Sequence, residues 1–100
     1  MFVALWEYEV KPGCEESFQS AYGTHGDWVR LFQRDPHYCE TRLLKDLSRP
    51  HFYFTLDYWD SENSFDQFKA ANREAYAAID RATESLTLFE RRLTTFIPPT

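Results

Sequence analysis

Phe52-Tyr53-Phe54-Thr55-Leu56-Asp57-Tyr58-Trp59 is the stretch on which the fold turns. Its β-branched and aromatic residues read as a strand. Ser48-Arg49-Pro50 just before it is too polar to extend a sheet and reads as a turn. Upstream, His37 to Leu47 carries Tyr38, Cys39, Leu43 and Leu44 and forms a second strand. The short link makes the two strands a hairpin. Downstream, Asp60 or Ser61 caps a helix in which Phe65, Phe68, Asn72, Ala75, Tyr76 and Ile79 recur at helical spacing. That helix runs to about Ser85, with a bend expected near Asn72, because asparagine is unfavourable inside a helix.

Moving outward, Phe2 to Val10 is a strand stopped by Lys11-Pro12-Gly13, and Thr87 to Ile97 is another, followed by the tail Pro98-Pro99-Thr100. Between the first two strands, Glu15 and Glu16 suit the positive end of a helix whose Phe18, Ala21 and Tyr22 share one face. Gly23-Thr24-His25-Gly26 breaks it. Asp27 is placed to cap a second short helix bearing Trp28, Leu31 and Phe32, which Asp35-Pro36 ends. The order is β, α in two pieces, β, β, α, β. That is an α+β, ferredoxin-like βαββαβ unit with a four-stranded antiparallel sheet, in a single domain spanning residues 1–100.

Composition narrows the function classes. The formal net charge is −5, which disfavours a nucleic-acid groove. No run of about 18 apolar residues offers a membrane span, and the N-terminal residues lack the basic start of a signal peptide. Cys14 and Cys39 make no metal or redox motif and read as free thiols of a cytoplasmic protein. His25, His37 and His51 lie far apart, so no metal site is expected.

Eighteen aromatic residues are many for a chain of 100 that buries only about two thirds of its unfolded surface. Strand parity sorts them. In the first strand Phe2, Ala4, Trp6, Tyr8 and Val10 point one way, and Val3 and Leu5 the other. In the third, Phe52, Phe54, Leu56 and Tyr58 alternate with Tyr53 and Trp59. Helices cover only one face of such a sheet, so a second copy of the chain is expected on the other, giving a homodimer.

Val10-Lys11-Pro12-Gly13 after the first strand, and Pro50 through Ser61 with its strand ending in Trp59-Asp60 before a capped helix, resemble the antibiotic biosynthesis monooxygenase-like family. Asp35-Pro36-His37-Tyr38 is similar to that family's Pro-Gly pair before the second strand, with His37 in the glycine's place. Ala21 to Phe32 resembles a bacterial subgroup of it. The resemblance implies a dimeric α+β barrel and oxygenation of an aromatic or quinol-type small molecule with no metal or flavin cofactor. It also brings in quinol oxidation and haem degradation. The haem-degrading branch pairs its tryptophan, here Trp59, with a strand-one asparagine and a helix histidine. The first strand here has no asparagine and the Ser61–Ser85 segment no histidine, so haem degradation is set aside.

Cofactor-free oxygenation asks for an aromatic-lined pocket, one base, and hydrogen bonds to hold an anion. Trp59 matches a family pocket aromatic, and its alternative role is to fix the strand-to-helix turn in the core. Tyr22, Trp28 and Tyr53 are further candidate walls. His25, in the glycine-flanked break, is one candidate base, because its ordinary pKa is near neutral. Asp57 is the other: held between aromatics, its pKa would rise. The rival reading pairs Asp57 with Arg42, Arg91 or Arg92. Asn72 marks either a bend or a ligand contact. A binding module holding an apolar ligand in the same cavity is the alternative to an enzyme.

Overall fold

The computed structural model describes residues 1–99. Its elements are β1 (Phe2–Val10), α1 (Glu15–Tyr22), α2 (Asp27–Phe32), β2 (Tyr38–Lys45), β3 (Phe52–Trp59), α3 (Glu62–Ala71), α4 (Arg73–Thr83), a 3-10 turn (Glu84–Leu86) and β4 (Thr87–Phe96). The four strands form one sheet in the order β2-β3-β1-β4, every neighbouring pair antiparallel. This is the ferredoxin-like α+β arrangement expected from the order of elements.

Local chemistry sets the boundaries. Gly13 adopts φ +88°, a left-handed turn open to glycine, and lets the chain leave β1 for α1. Its N–H donates to the Glu15 carboxylate at 3.1 Å. Gly26, not Asp27, precedes α2. Asp27 lies inside its first turn and pairs with Arg30. β2 is shorter than expected at both ends. The His37 N–H is taken by Asp35 Oδ1 at 2.8 Å. Asp46 accepts from the Ser48 N–H at 2.9 Å and from its hydroxyl at 2.7 Å, which bends the chain away and leaves Leu47 fully exposed. Ser61 caps α3, its Oγ accepting from the Ser64 N–H at 3.1 Å. The long helical segment breaks at Asn72 (φ −120°, ψ 30°), whose amide donates back to the Phe68 carbonyl at 2.9 Å. That bond gives Asn72 a structural job at the bend.

The register confirms the division of side chains. Phe2 faces Trp59, Ala4 faces Asp57, Trp6 faces Thr55 and Tyr8 faces Tyr53. The helices cover this set, and the core joins Phe2, Tyr8, Tyr53 and Trp59 to Phe18, Tyr22, Trp28, Phe32, Phe65 and Phe68. Burying each such ring is worth about 1.5–3 kcal/mol. The opposite set pairs Val3 with Tyr58, Leu5 with Leu56, Glu7 with Phe54 and Glu9 with Phe52, and adds Leu44 from β2 and Phe89 and Phe96 from β4. None of these residues belongs to the core cluster, and Leu44, Phe89 and Phe96 are exposed. At the centre of this open face Glu7 receives Arg49 Nη2 at 2.8 Å and Arg91 Nε at 3.0 Å.

Candidate functional site

Between the covered face of the sheet and the helices lies a cavity of about 140 Å3. Parity explains where it opens. Along β3 the inward residues are Tyr53, Thr55, Asp57 and Trp59, so two short side chains sit between two large rings. β2 places Thr41 opposite Asp57. Tyr8 of β1, with its hydroxyl 2.9 Å from Thr55 Oγ1, and Trp6 complete the sheet side. Tyr22 from α1, Trp28 and Phe32 from α2, and Tyr76 from α4 form the aromatic walls, with Trp28 and Tyr76 meeting edge to face at 4.9 Å. Asp80 and Glu90 stand at the mouth, both more exposed than the floor.

Asp57 is the polar centre of the floor. It is 7 % exposed and accepts one hydrogen bond, from Thr41 Oγ1 at 2.7 Å. Thr41 in turn accepts from the Tyr38 hydroxyl at 2.8 Å, so three groups form a chain from half-buried Tyr38 to the carboxylate. Burial pushes the Asp57 pKa up to about 6, and the Thr41 bond opposes only part of that rise. The expected ion pair is absent for a reason of register. Arg42 lies opposite Leu56 and Arg91 opposite Glu7, both on the open face, where they bind Glu40 and Glu7. Arg92 is on the covered side of β4 but makes no salt bridge to Asp57. Among the described residues the carboxylate thus has a hydroxyl partner and no counter-cation.

The phenols around it are donors, not bases. Burial pushes the Tyr8 and Tyr22 hydroxyls well above the ordinary tyrosine range, and Tyr76 to about 12. The Tyr22 hydroxyl donates to Thr83 Oγ1 at 3.2 Å. Trp28 Nε1, on a residue that lines the cavity, is buried without a well-formed hydrogen bond and lies toward the Tyr22 hydroxyl, whose pKa rise it tempers. At the mouth, burial and then repulsion from Asp80 raise the Glu90 pKa.

Of the residues singled out from sequence, Asp57, Tyr22 and Trp28 meet at this cavity. Trp59 is fully buried nearby among Phe32, Tyr38, Phe65 and Phe68, with ring centroids 5.0–5.6 Å away, and does not line it. Tyr53 is packed against Phe18 at 5.2 Å, its hydroxyl accepting from Gln19 Nε2 at 3.1 Å, and is likewise outside the lining. His25 is exposed on the outer loop beside a broad surface groove, and its carbonyl accepts from Arg30 Nη1 at 2.9 Å. His51 sits in the turn before β3 at φ 70°, and its Nδ1 lies 3.0 Å from Glu15 Oε1. Thr41, Thr55, Tyr76, Asp80 and Glu90 were not anticipated. Parity flags Thr55 as a short inward residue beside Asp57, and Tyr76 and Asp80 share a helix face at i, i+4. Thr41 and Glu90 depend on strand pairing that no local pattern encodes. Among the described residues no group of His, Cys, Asp or Glu side chains is arranged to hold a metal ion. Cys14 and Cys39 are free thiols.

No curated protein matches the chain in sequence. Solved structures match its fold throughout. A candidate antibiotic biosynthesis monooxygenase from Nitrosomonas europaea superposes with a TM-score of 0.75 at 13% identity, covering 100% of both chains. SnoaB, a cofactor-independent oxygenase from Streptomyces nogalater, gives a TM-score of 0.74 at 15% identity, with 99% of this chain and 93% of that one covered. A candidate antibiotic biosynthesis monooxygenase from Deinococcus radiodurans gives 0.73 at 12% identity, covering 100% and 94%. At these identities the likeness speaks for the fold. The family model for antibiotic biosynthesis monooxygenase matches residues 1–82, and on that match the chain belongs to the antibiotic biosynthesis monooxygenase family.

Proposed function

We propose that this chain is a homodimeric, cofactor-independent monooxygenase of the cytoplasm, acting on an aromatic, quinol-type small molecule held in the cavity between sheet and helices. The observation that carries the proposal is Asp57, a buried carboxylate with one hydroxyl partner and no counter-cation, on the floor of an aromatic-lined cavity. A carboxylate whose pKa burial has raised toward neutrality is a competent general base at physiological pH. Asp57 takes the substrate's hydroxyl proton, and the resulting phenolate is electron-rich enough to reduce oxygen directly. For a hydroquinone the balance closes as quinol plus O2 giving hydroxyquinone plus water. One oxygen atom enters the ring, the other leaves as water, and all electrons come from the substrate. Trp28 Nε1 and the neutral Tyr76 hydroxyl supply donors for the anion. The Tyr38–Thr41 chain donates inward and fixes the orientation of the Asp57 carboxylate. SnoaB's description as a cofactor-independent oxygenase fits the same chemistry.

The dimer belongs to this reading because no helix covers the open face of the sheet, where Leu44 and Phe96 are exposed and Leu5, Phe54 and Leu56 only half-buried. A second copy across a two-fold axis matches like with like and covers it. Oxygen consumption with a panel of hydroquinones tests the function. Turnover that depends on Asp57 supports it. Binding without turnover favours the ligand-binding module, and neither binding nor turnover ends the cavity reading.

A further inference from the structure

The cavity has a size and a charge sign, and together they specify its occupant more narrowly than a quinol-type molecule. Its volume of about 140 Å3 is close to the roughly 150 Å3 that holds a single benzene ring in an apolar core. The inner part of the cavity is thus matched to one ring, and anything larger reaches out past Asp80 and Glu90. The lining contains three carboxylates, Asp57, Asp80 and Glu90, and no lysine, arginine or histidine. Arg92, the cation that the β1–β4 register sets opposite Trp6, is exposed and does not line the cavity. Arg91 points to the other face, where Glu7 holds it. Asp80 and Glu90 stand close enough at the mouth for one to disfavour ionisation of the other, a repulsion that a bound cation would relieve. The surrounding walls, Trp6, Tyr22, Trp28 and Tyr76, present aromatic surface, which attracts organic cations. Within the walls Trp28 Nε1 makes no well-formed hydrogen bond and lies toward the Tyr22 hydroxyl, so an acceptor on the ligand competes with Tyr22 for it.

We infer that the substrate is a single-ring quinol-type phenol carrying a protonated amine, its ring between the aromatic walls, its reacting hydroxyl toward Asp57 and its ammonium group toward Asp80 and Glu90. This rests on the cavity being the substrate site, as proposed above, and adds the charge and the ring count. Ring size follows from the volume. The positive charge follows from a lining with acids and no bases, which penalises any carboxylate or phosphate ligand.

A matched series of ligands tests it by calorimetry and by quenching of tryptophan fluorescence at neutral pH. Tyramine supplies the cation, para-propylphenol the neutral shape, and para-hydroxyphenylpropionate the anion. Tyramine is expected to bind at least about tenfold more tightly than para-propylphenol, in line with a desolvated cation–aromatic contact, and the anion least of all. In the Asp80→Asn, Glu90→Gln double variant, tyramine's advantage shrinks to about twofold or less while para-propylphenol keeps its affinity. Both positions are at the exposed mouth, and the comparison within the unmodified protein does not depend on that variant. Equal affinity for tyramine and para-propylphenol, or tighter binding of the anion, overturns the inference and leaves the cavity as substrate site. Retention of the cation preference in the double variant overturns the placement of the ammonium group. Failure of all three ligands to bind at millimolar concentration overturns both this inference and the cavity reading beneath it.

Discussion

Two carboxylates on neighbouring strands, Glu7 and Asp57, are almost equally hidden, at 4 % and 7 % exposure, and they are pushed in opposite directions. Glu7 faces the open side of the sheet, where the Arg49 guanidinium, with Arg91 beside it, holds its carboxyl below the usual range. Asp57 faces the helices, where burial raises it to about 6 and a threonine hydroxyl is its partner. Glu7 is covered only by the arginine side chains laid over it on the open face, whereas Asp57 lies deep beneath the helices, so depth and partner both differ. A carboxylate clamped by arginines holds a surface together. One without a counter-cation is costly to keep ionised and available to take a proton. On the function proposed above, the same sheet divides its labour, one face serving association and the other chemistry.

The largest test of this contrast is Asp57→Asn. Loss of a general base costs about a hundredfold or more in turnover, measured by oxygen uptake. The same change is expected to stabilise the protein. Asp57 binds its proton more tightly folded (about 6) than unfolded (3.8), so folding stability falls as pH rises between those values. Above them the ionised group costs on the order of 2–3 kcal/mol, which the neutral amide avoids. Thermal melts at pH 8 should therefore favour the variant, and the gain should vanish below about pH 4. A variant that loses activity and stability together would make Asp57 a structural acid like Glu7. In the unmodified enzyme, kcat/KM should rise with pH through a midpoint near 6.

On the open face the corresponding test is Leu5→Asp. Leu5 lies opposite Leu56 in a central strand, so a charge there meets its two-fold mate or the partner's apolar surface. Self-association is expected to weaken by about a hundredfold, seen by sedimentation velocity as monomer. Circular dichroism establishes whether the monomer stays folded, as it should if this face does not build the core.

Glu7→Gln probes the clamp itself and should act more mildly, because Arg49 and Arg91 are themselves 44% and 64% exposed and screened by water. Glu7 is held below its unfolded pKa, so its stabilisation is full above that value and is lost as pH falls through the folded one. The variant should melt a few degrees lower at neutral pH, with the gap closing in acid. His25→Ala is the smallest effect. Its ring is on the outer loop, and turnover and melting temperature should stay as they are.

What the sequence discloses and withholds follows from range. Strand parity, glycine breaks and the Ser61 cap are local, and they place the elements, the helix break at Asn72 and the two faces of the sheet. Asp57 stands out because an acid between Leu56 and Tyr58 is conspicuous in any strand. Its setting is less legible. Two of the three arginines expected to pair with it, Arg42 and Arg91, turn away because β2 and β4 set them opposite Leu56 and Glu7. Trp59 and Tyr53 have the composition of pocket residues but fill the core on either side of the gap left by Thr55 and Asp57. A cavity is a difference in size between neighbours in space, and strand partners distant in sequence decide it.

The account turns on Asp57 being a poised acid and Glu7 a clamped one, and a carboxyl carbon NMR titration of the intact protein reads both at once. The expected result is an Asp57 midpoint near 6, with Glu7 titrating below the ordinary carboxylate range. An Asp57 midpoint at or below its unfolded value of 3.8 would show an unseen cationic partner and contradict its assignment as the base.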